Sequence, residues 1–402
     1  MISLTEAHRC ISMLESLQPV RIPLDKALGL VCAEDVYAVH NCPTVDSSLK
    51  DGFAVVSSDI AEASPSHPVT LAVTGSLTAG DEKAGVHVSS GTAVRIMTGA
   101  AVPQGATAVL ASEFAEVSGA AVTITADSRI GLNILCKGSD IVQHQRVLAQ
   151  GEMLGPAHLG LLAAAGVKEV ICYPVPRVAI AATGSELVWP GDPLTEGKVA
   201  ASNMVTAAAE LQAMGITAST VLVRDNLYTL HEHFQDIVRQ VDMLITCGGV
   251  LDGDKDLTLR AMEQIGMVKI FHRVRIGPGK GACMGMVGKT IVFNLPGGPP
   301  SNHVALLLLA LSGVRRLMGF LDCLPRKKQV FVSEELVGQT DWTQLVYSRV
   351  HSAGGSLHAV PLSNLTRFAA MAKANALIEL PEGCAVIKKG SLAGAWFYPG
   401  YF

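Results

Sequence analysis

The chain is poor in aromatic residues and in charge: Phe, Trp and Tyr make up 5% of its 402 positions, and Asp, Glu, Lys and Arg 16%. With 49% hydrophobic residues, that balance excludes a disordered chain and supplies a large buried core. A basic field is also missing. There are 31 Lys and Arg against 35 Asp and Glu, a net charge of −4. The longest basic run, Arg326-Lys327-Lys328, follows Pro325 and reads as a linker. Nucleic acid is therefore not expected as a partner. None of the nine cysteines forms a C-x-x-C pair, which argues against a zinc site. Their odd number and apolar settings indicate reduced thiols in a reducing compartment. The start, Met1-Ile2-Ser3-Leu4-Thr5-Glu6-Ala7, lacks the basic end and apolar centre of a signal peptide. The longest apolar run, 304–311, is far short of a membrane span. The expectation is a soluble, cytoplasmic protein with no membrane partner.

The length calls for two or more domains. Ala7, Ile11, Leu14 and Leu17 recur at helical spacing, with Ser3 or Thr5 as cap, so a helix is expected over 3–18. From 45 to about 150, short β-rich runs (69–73, 93–97, 108–111, 121–124) alternate with Gly, Ser and Pro. Gly155-Pro156 then opens a helix over 158–165, which Gly166 ends. Between 177 and 319, strands (177–182, 216–223, 242–247, 267–274, 291–295) alternate with helices (202–214, 227–240, 256–265, 300–319). Such alternation gives a mostly parallel sheet with helices on both faces. Beyond Pro325 the runs 329–332, 344–350, 376–379 and 396–398 are β-rich again. The expected fold class is multidomain α/β plus β: a central, mostly parallel α/β domain, an inserted β domain and a C-terminal β domain.

Four polar turns follow apolar β runs in the α/β segment. They are Thr183-Gly184-Ser185-Glu186-Leu187, Arg224-Asp225-Asn226, Gly248-Gly249 through Asp256, and Pro296-Gly297-Gly298-Pro299-Pro300-Ser301. Ligands of an open parallel sheet bind at the carboxyl ends of its strands, so these turns are expected to face one site. Gly-rich backbone and hydroxyls at strand-to-helix turns suit phosphate. Thr183-Gly184-Ser185-Glu186 alone fits a capped polar loop equally well, and the Pro296 turn fits a rigid connector. Asp252, Asp254 and Asp256 crowd three acids into five residues, which calls for solvation or a cation. Together with Glu263 they have EF-hand spacing, but Leu257 stands where that loop needs Gly. Arg275 and Lys280, on a Gly/Pro-rich turn, add cations able to neutralise an oxyanion. Carboxylates beside a phosphorylated ligand imply Mg²⁺ between them. The physics alone gives a phosphorylated, nucleotide-like ligand with a divalent metal, and not the reaction.

In order along the whole chain, these motifs resemble the molybdopterin molybdenumtransferase family, which includes bacterial MoeA and the gephyrin E domain. The N-terminal marker is Pro43-Thr44-Val45-Asp46-Ser47-Ser48-Leu49-Lys50-Asp51-Gly52-Phe53-Ala54-Val55. Arg95-Ile96-Met97-Thr98-Gly99-Ala100 follows, then Thr183 to Leu187 with Ser202-Asn203, Gly248-Gly249 to Asp256, and Leu295-Pro296-Gly297. The resemblance implies four domains: a helical one from 1–44 and 145–175, the inserted β domain 45–144, a molybdopterin-binding-like α/β domain 176–325 and the C-terminal β domain 326–402. It implies a homodimer with a shared active site, a molybdopterin adenylyltransferase as partner, and insertion of molybdate or tungstate into adenylylated molybdopterin with Mg²⁺ and release of AMP. By position, Glu186, Asp225 and Asp256 match the acidic residues that handle metal and adenylate. Asp51, Ser48 and Thr98 match positions offered by the partner subunit. Thr183, Gly184, Ser185, Gly248, Gly249, Lys280, Pro296, Gly297 and Ser301 match positions around the pterin and phosphates.

The chain departs from the family pattern in places. G-G-x-S-V-G is here Gly248-Gly249-Val250-Leu251-Asp252-Gly253, and K-P-G-K-P is Gly277-Pro278-Gly279-Lys280-Gly281. Lys50 stands for the usual Met and Gly298 for the usual Asn. Leu251, Asp252 and Gly277 are the positions that favour a second reading, a catalytically silent carrier of the pterin cofactor. A related nucleotide hydrolase or adenylylating enzyme is a third, against which the matching end segments count.

Overall fold

A computed structural model describes residues 1–81, 85–249 and 257–400. The chain divides into two compact units. One holds Met1–Val20, Gly29–Ala33 and the chain from Cys172 on; the other holds Arg21–Leu28 and Glu34–Ile171.

The first unit opens with α1 (Leu4–Ser12), started by a capping box in which the Ser3 hydroxyl accepts from Glu6 N–H and the Glu6 carboxylate accepts from Ser3 N–H. Its sheet and helices run β1 (Val178–Thr183), α2 (Ser202–Ala213), β2 (Ser219–Val223), α3 (Leu227–Ile237), β3 (Met243–Cys247), α4 (Leu257–Gln264), β4 (Val268–His272), β5 (Cys283–Val287), β6 (Thr290–Leu295) and α5 (Pro299–Ala305). The strand order is β2-β1-β3-β6-β5-β4. The first four strands are mutually parallel, as the alternation of strands and helices requires. The other two depart from the alternation. Residues 283–287, not flagged as a strand, turn at Gly288-Lys289 into β6 and pair with it antiparallel, and β4 closes the edge antiparallel to β5.

The inner parallel strands β1, β3 and β6 are buried on both faces, and their residues sort by parity. Ile180, Ala182, Ile245, Phe293 and Leu295 point into a core shared with α1, α2 and α5, whereas Ala179, Ala181, Leu244 and Val292 meet α3 and α4. The long apolar helix expected over 300–319 is interrupted. A π-helical turn, Leu306–Ala310, separates α5 from α6 (Leu311–Leu317). Within that turn the Leu308 carbonyl accepts from the buried His8 Nε2–H at 3.0 Å and from the Ser312 hydroxyl at 3.0 Å, so α1 is tied to the irregularity. Helix α2 begins at Ser202, and Ala201 occupies the cap position without a side-chain bond.

The C-terminal part of this unit is a small barrel. β7 (Lys327–Val332), β8 (Thr343–Ala353), β9 (Ser356–Pro361), β10 (Ala376–Leu380) and β11 (Leu392–Phe397) follow one another, with α7 (Arg367–Lys373) between β9 and β10. Pairing runs β8-β9-β7-β11-β10 and returns from β10 to β8, so the sheet closes around Val330, Val350, Ile378 and Phe397. Two residues of the preceding segment, Ile276–Gly277, extend this sheet by pairing parallel with Thr343 and Gln344 of β8. The Arg275 guanidinium reinforces the junction with an ion pair to Glu382 at 3.1 Å.

The second unit is built on a six-stranded sheet in the order Ala108–Ala111, Gly52–Val55, Thr92–Ile96, Val69–Leu77, Ala121–Ile124, Ala115–Ser118. Its two faces carry separate apolar clusters, with Phe53, Val55 and Leu110 on one and Ala54, Val94 and Val109 on the other. The helix Pro156–Ala164 starts after Gly155 and ends before Gly166, which takes φ +81°. Among the described residues, no helix is long and apolar enough to cross a membrane.

Candidate active site at the carboxyl ends of the parallel strands

After β1 the chain passes to β2 on one side, and after β2 it crosses to β3 on the other. The crevice between β1 and β3 is thus a topological switch point, where an open α/β sheet binds ligands. A pocket of about 590 Å³ opens there, lined by Thr183 and Glu186 after β1, Asp225 after β2, Cys247, Gly248 and Gly249 at the end of β3, and Gly297 after β6. That volume is in the range of small-molecule sites.

The glycines after β3 have a steric reason. Gly248 takes φ +118° and donates its N–H to the Leu295 carbonyl at 2.9 Å. A Cβ on it would stand 2.6 Å from the Thr183 carbonyl oxygen. Gly249, at φ +63°, packs against the Thr258 side chain, whose hydroxyl donates to the Thr183 hydroxyl at 2.9 Å. The backbone here is bare and close-packed, as an approaching phosphate requires. The turn after β6 is held from two sides. Asn203 Nδ2 donates to the Gly297 carbonyl at 2.8 Å, and Asn302 Nδ2 to the Pro296 carbonyl at 3.0 Å.

Two carboxylates meet in this pocket. Asp225 is open to solvent on one side, yet desolvation by the pocket wall, followed by the negative charge of Glu186, raises its carboxyl above the ordinary value. The Ser185 N–H opposes that rise by bonding to the Asp225 carboxylate. Across the turn, Lys198 donates to the Ser185 carbonyl at 2.6 Å. Two acids that repel each other form the donor chemistry of a hard divalent ion, which commonly takes one or two protein carboxylates plus phosphate and water. Among the described residues, no group of three or more His, Cys, Asp and Glu could hold a metal ion. Asp256, Asp252 and Leu251 lie outside the described residues. Cys247 reaches the pocket, but burial pushes its thiol up to about 11, so it is no thiolate nucleophile near neutral pH.

Of the remaining sequence candidates, Gly184 and Ser185 shape the turn after β1, and a Cβ on Gly184 would collide with the Glu186 carboxylate. Pro296 and Ser301 flank the Gly297 turn. Lys280 is not part of the pocket wall; its ammonium lies over the Trp342 ring, 4.3 Å from the centroid. Asp51, Ser48 and Thr98 cluster in the second unit. Asp51 accepts from Thr98 N–H and Thr98 Oγ1, both at 2.7 Å, which with Arg95 holds its carboxyl below the ordinary range. Ser48 receives the Gly99 N–H on its carbonyl at 2.8 Å, and its hydroxyl donates to the Lys50 carbonyl at 2.5 Å. Sequence reasoning missed Lys198, Arg367 and Phe368 as pocket residues, and Asn203 as a strut. The last two of the three come from α7 of the barrel, some 180 positions beyond Glu186, with no local pattern to mark them.

Two family models match the chain: the MoeA N-terminal region (domain I and II) over residues 2–166, and a probable molybdopterin binding domain over residues 179–316. A molybdopterin molybdenumtransferase 2 from Mycobacterium tuberculosis is 31% identical, over 98% of this chain and 99% of its own length. The chain belongs to the molybdopterin molybdenumtransferase family. A family member from Haemophilus influenzae is also 31% identical, covering 95% of each chain. The crystal structure of a molybdopterin biosynthesis MoeA protein from Pyrococcus horikosii superposes with a TM-score of 0.84 at 28% identity, covering 100% of both chains. Apart from Arg367 and Phe368, the residues lining the pocket between β1 and β3 thus fall within the segment matched by the probable molybdopterin binding domain.

Proposed function

We propose that this chain inserts molybdenum, supplied as molybdate, into adenylylated molybdopterin and releases AMP, in the pocket between β1 and β3. Family membership makes the chain a transferase of molybdenum cofactor biosynthesis. The observation that carries the finer reading is the joint presence, in one pocket, of two mutually repelling carboxylates and glycine backbone bare enough for phosphate.

In this reading Glu186 and Asp225 hold Mg²⁺, joined by Asp256 on the strength of the family match. When bound, Mg²⁺ supplies charge neutralisation between those acids and the phosphates. Gly248, Gly249 and Gly297 admit the phosphates to the backbone, and Thr183 and Ser185 offer hydrogen-bond donors. Asn203 and Asn302 keep the Gly297 turn in place. Pro296, Ser301 and Lys280 shape or electrostatically bias the pterin side. Asp51, Ser48 and Thr98 complete the cleft from the partner subunit of a homodimer, and an adenylyltransferase delivers the substrate in the cytoplasm. Tungstate is the competing oxyanion.

AMP release from adenylylated molybdopterin with Mg²⁺, compared for molybdate, tungstate and no oxyanion, tests this. Oxyanion-dependent release that Glu186→Gln and Asp225→Asn reduce at least tenfold is the expected result. Tight pterin binding without AMP release would replace it with the silent-carrier reading.

A further inference from the structure

The described pocket side chains divide unevenly. Glu186 and Asp225 carry the negative charges; Lys198 and Arg367 carry the positive ones. Lys198 is committed to the Ser185 carbonyl. Arg367 makes no hydrogen bond or ion pair among the described residues. Beside it, Phe368 leaves 55% of its surface exposed, and Leu194 and Val199, 64% and 51% exposed, line the same pocket. The cavity therefore carries uncovered apolar side chains beside its charged ones, with a guanidinium that is free among the described residues. An exposed ring gains from being covered by a flat partner, and a planar guanidinium both pairs with phosphate and stacks on aromatic faces.

Both side chains sit on a fixed platform. Helix α7 buries Ala370 and packs against α5, the helix that follows the Gly297 turn. At its far end Asn375 clamps β8 through both the N–H and the carbonyl of Val350, at 2.7 and 2.9 Å. The barrel itself is joined to the α/β part by the ladder from Ile276–Gly277 to β8. Residues carried on a packed helix hold geometry that a loose loop does not. At seven residues α7 contributes through these side chains and not through its dipole.

We propose that Arg367 and Phe368 form a substrate-selecting edge of the pocket: Phe368 stacks on a planar nitrogen heterocycle, and Arg367 pairs with the phosphate attached to it. This rests on the function proposed above and adds to it the barrel as a determinant of which substrate is held. Two ligand parts have that chemistry, the adenine of AMP and the pterin with its own phosphate, and binding of each measured separately tells them apart.

The test uses the full-length protein with AMP and with molybdopterin as separate probes, followed by AMP release from the adenylylated substrate. Phe368→Ala should weaken the probe that Phe368 covers by about 5- to 150-fold, the range of one aromatic stack on a base. Phe368→Trp should restore it. Arg367→Ala should raise KM about tenfold with a smaller change in kcat, and Arg367→Lys should recover part of the loss. Both positions are exposed, so urea midpoints should stay at the wild-type value. If wild-type protein binds its probes and all four variants stay within twofold of it, the inference is overturned while the proposed function stands. If wild-type protein binds neither probe and releases no AMP, the proposed function fails and takes this edge with it.

Discussion

Gly248→Ala is the sharpest probe of how the crevice is built. Gly248 adopts φ +118°, where a side chain costs about 1–3 kcal/mol in backbone strain. The added methyl would stand 2.6 Å from the Thr183 carbonyl oxygen and 3.0 Å from its hydroxyl. That carbonyl belongs to β1 in the middle of the sheet and cannot rotate aside, so overpacking adds about 1–3 kcal/mol more. The sum, roughly 2–6 kcal/mol, has two places to go. If the turn holds its shape, stability falls by that amount; if the turn yields, β1 and β3 part and ligand affinity falls instead, by about tenfold for each 1.4 kcal/mol. Urea unfolding and AMP affinity, measured on the same preparation, capture both. Gly297→Ala is the internal control for stability. Its Cβ would meet only the Gly248 Cα, at 3.6 Å, and Gly297 has no positive φ. The steric account is refuted if Gly248→Ala matches wild type in both measurements, or if Gly297→Ala is the more destabilised of the two.

Burial lowers the His8 imidazole from 6.5 to about 4. A depressed base gives stability that is present above the unfolded value and lost as pH falls, here from 6.5 towards 4, by roughly 3 kcal/mol. Urea midpoints across that range should fall in the wild type and flatten in His8→Gln. The raised carboxyl of Asp225 has the opposite sense: folding favours its protonated form, so its charge destabilises the metal-free protein as pH rises past its ordinary value near 3.8. Melting temperatures without Mg²⁺ should therefore be higher in Asp225→Asn than in wild type above about pH 5, with the gap closing in acid and the order reversing when Mg²⁺ is added. In the middle of the sheet the Thr246 hydroxyl donates to Asn294 Oδ1 at 2.8 Å, both residues fully buried. Thr246→Val strands that oxygen and should cost about 1–3 kcal/mol in urea unfolding, whereas an unchanged midpoint would mean another donor replaces the hydroxyl.

The parallel core was legible because each strand is a short, continuous apolar run cut off by glycine or a polar turn, as at Cys247-Gly248-Gly249 and Leu295-Pro296-Gly297. The β5–β6 hairpin was not. Cys283-Met284-Gly285-Met286-Val287 has one β-branched residue and an internal glycine, so propensity is weak, and its two-residue turn, Gly288-Lys289, is easily passed over beside the Arg275–Lys280 cluster. The acidic and glycine parts of the pocket were visible because strand-end loops converge by topology. Arg367 and Phe368 were invisible for the complementary reason. They reach the pocket from α7, a helix of the barrel far along the chain, and only the three-dimensional packing of the barrel puts them there. The Trp342 ring likewise explains the position of Lys280, since a cation and an aromatic 62 residues apart show no shared pattern in sequence.

That barrel closes late in synthesis. β10 and β11, the strands that complete its circuit, lie some 80 to 100 positions beyond Gly297 in the crevice. On a ribosome, residues 183–297 emerge first and can form the crevice. The barrel that carries Arg367 and Phe368 closes only once β11 has been released. A product that terminates early would hold a crevice with glycines and acids and no opposite side. Translation through β11 is thus a condition for the finished pocket, and the chain carries that check in its strand order alone.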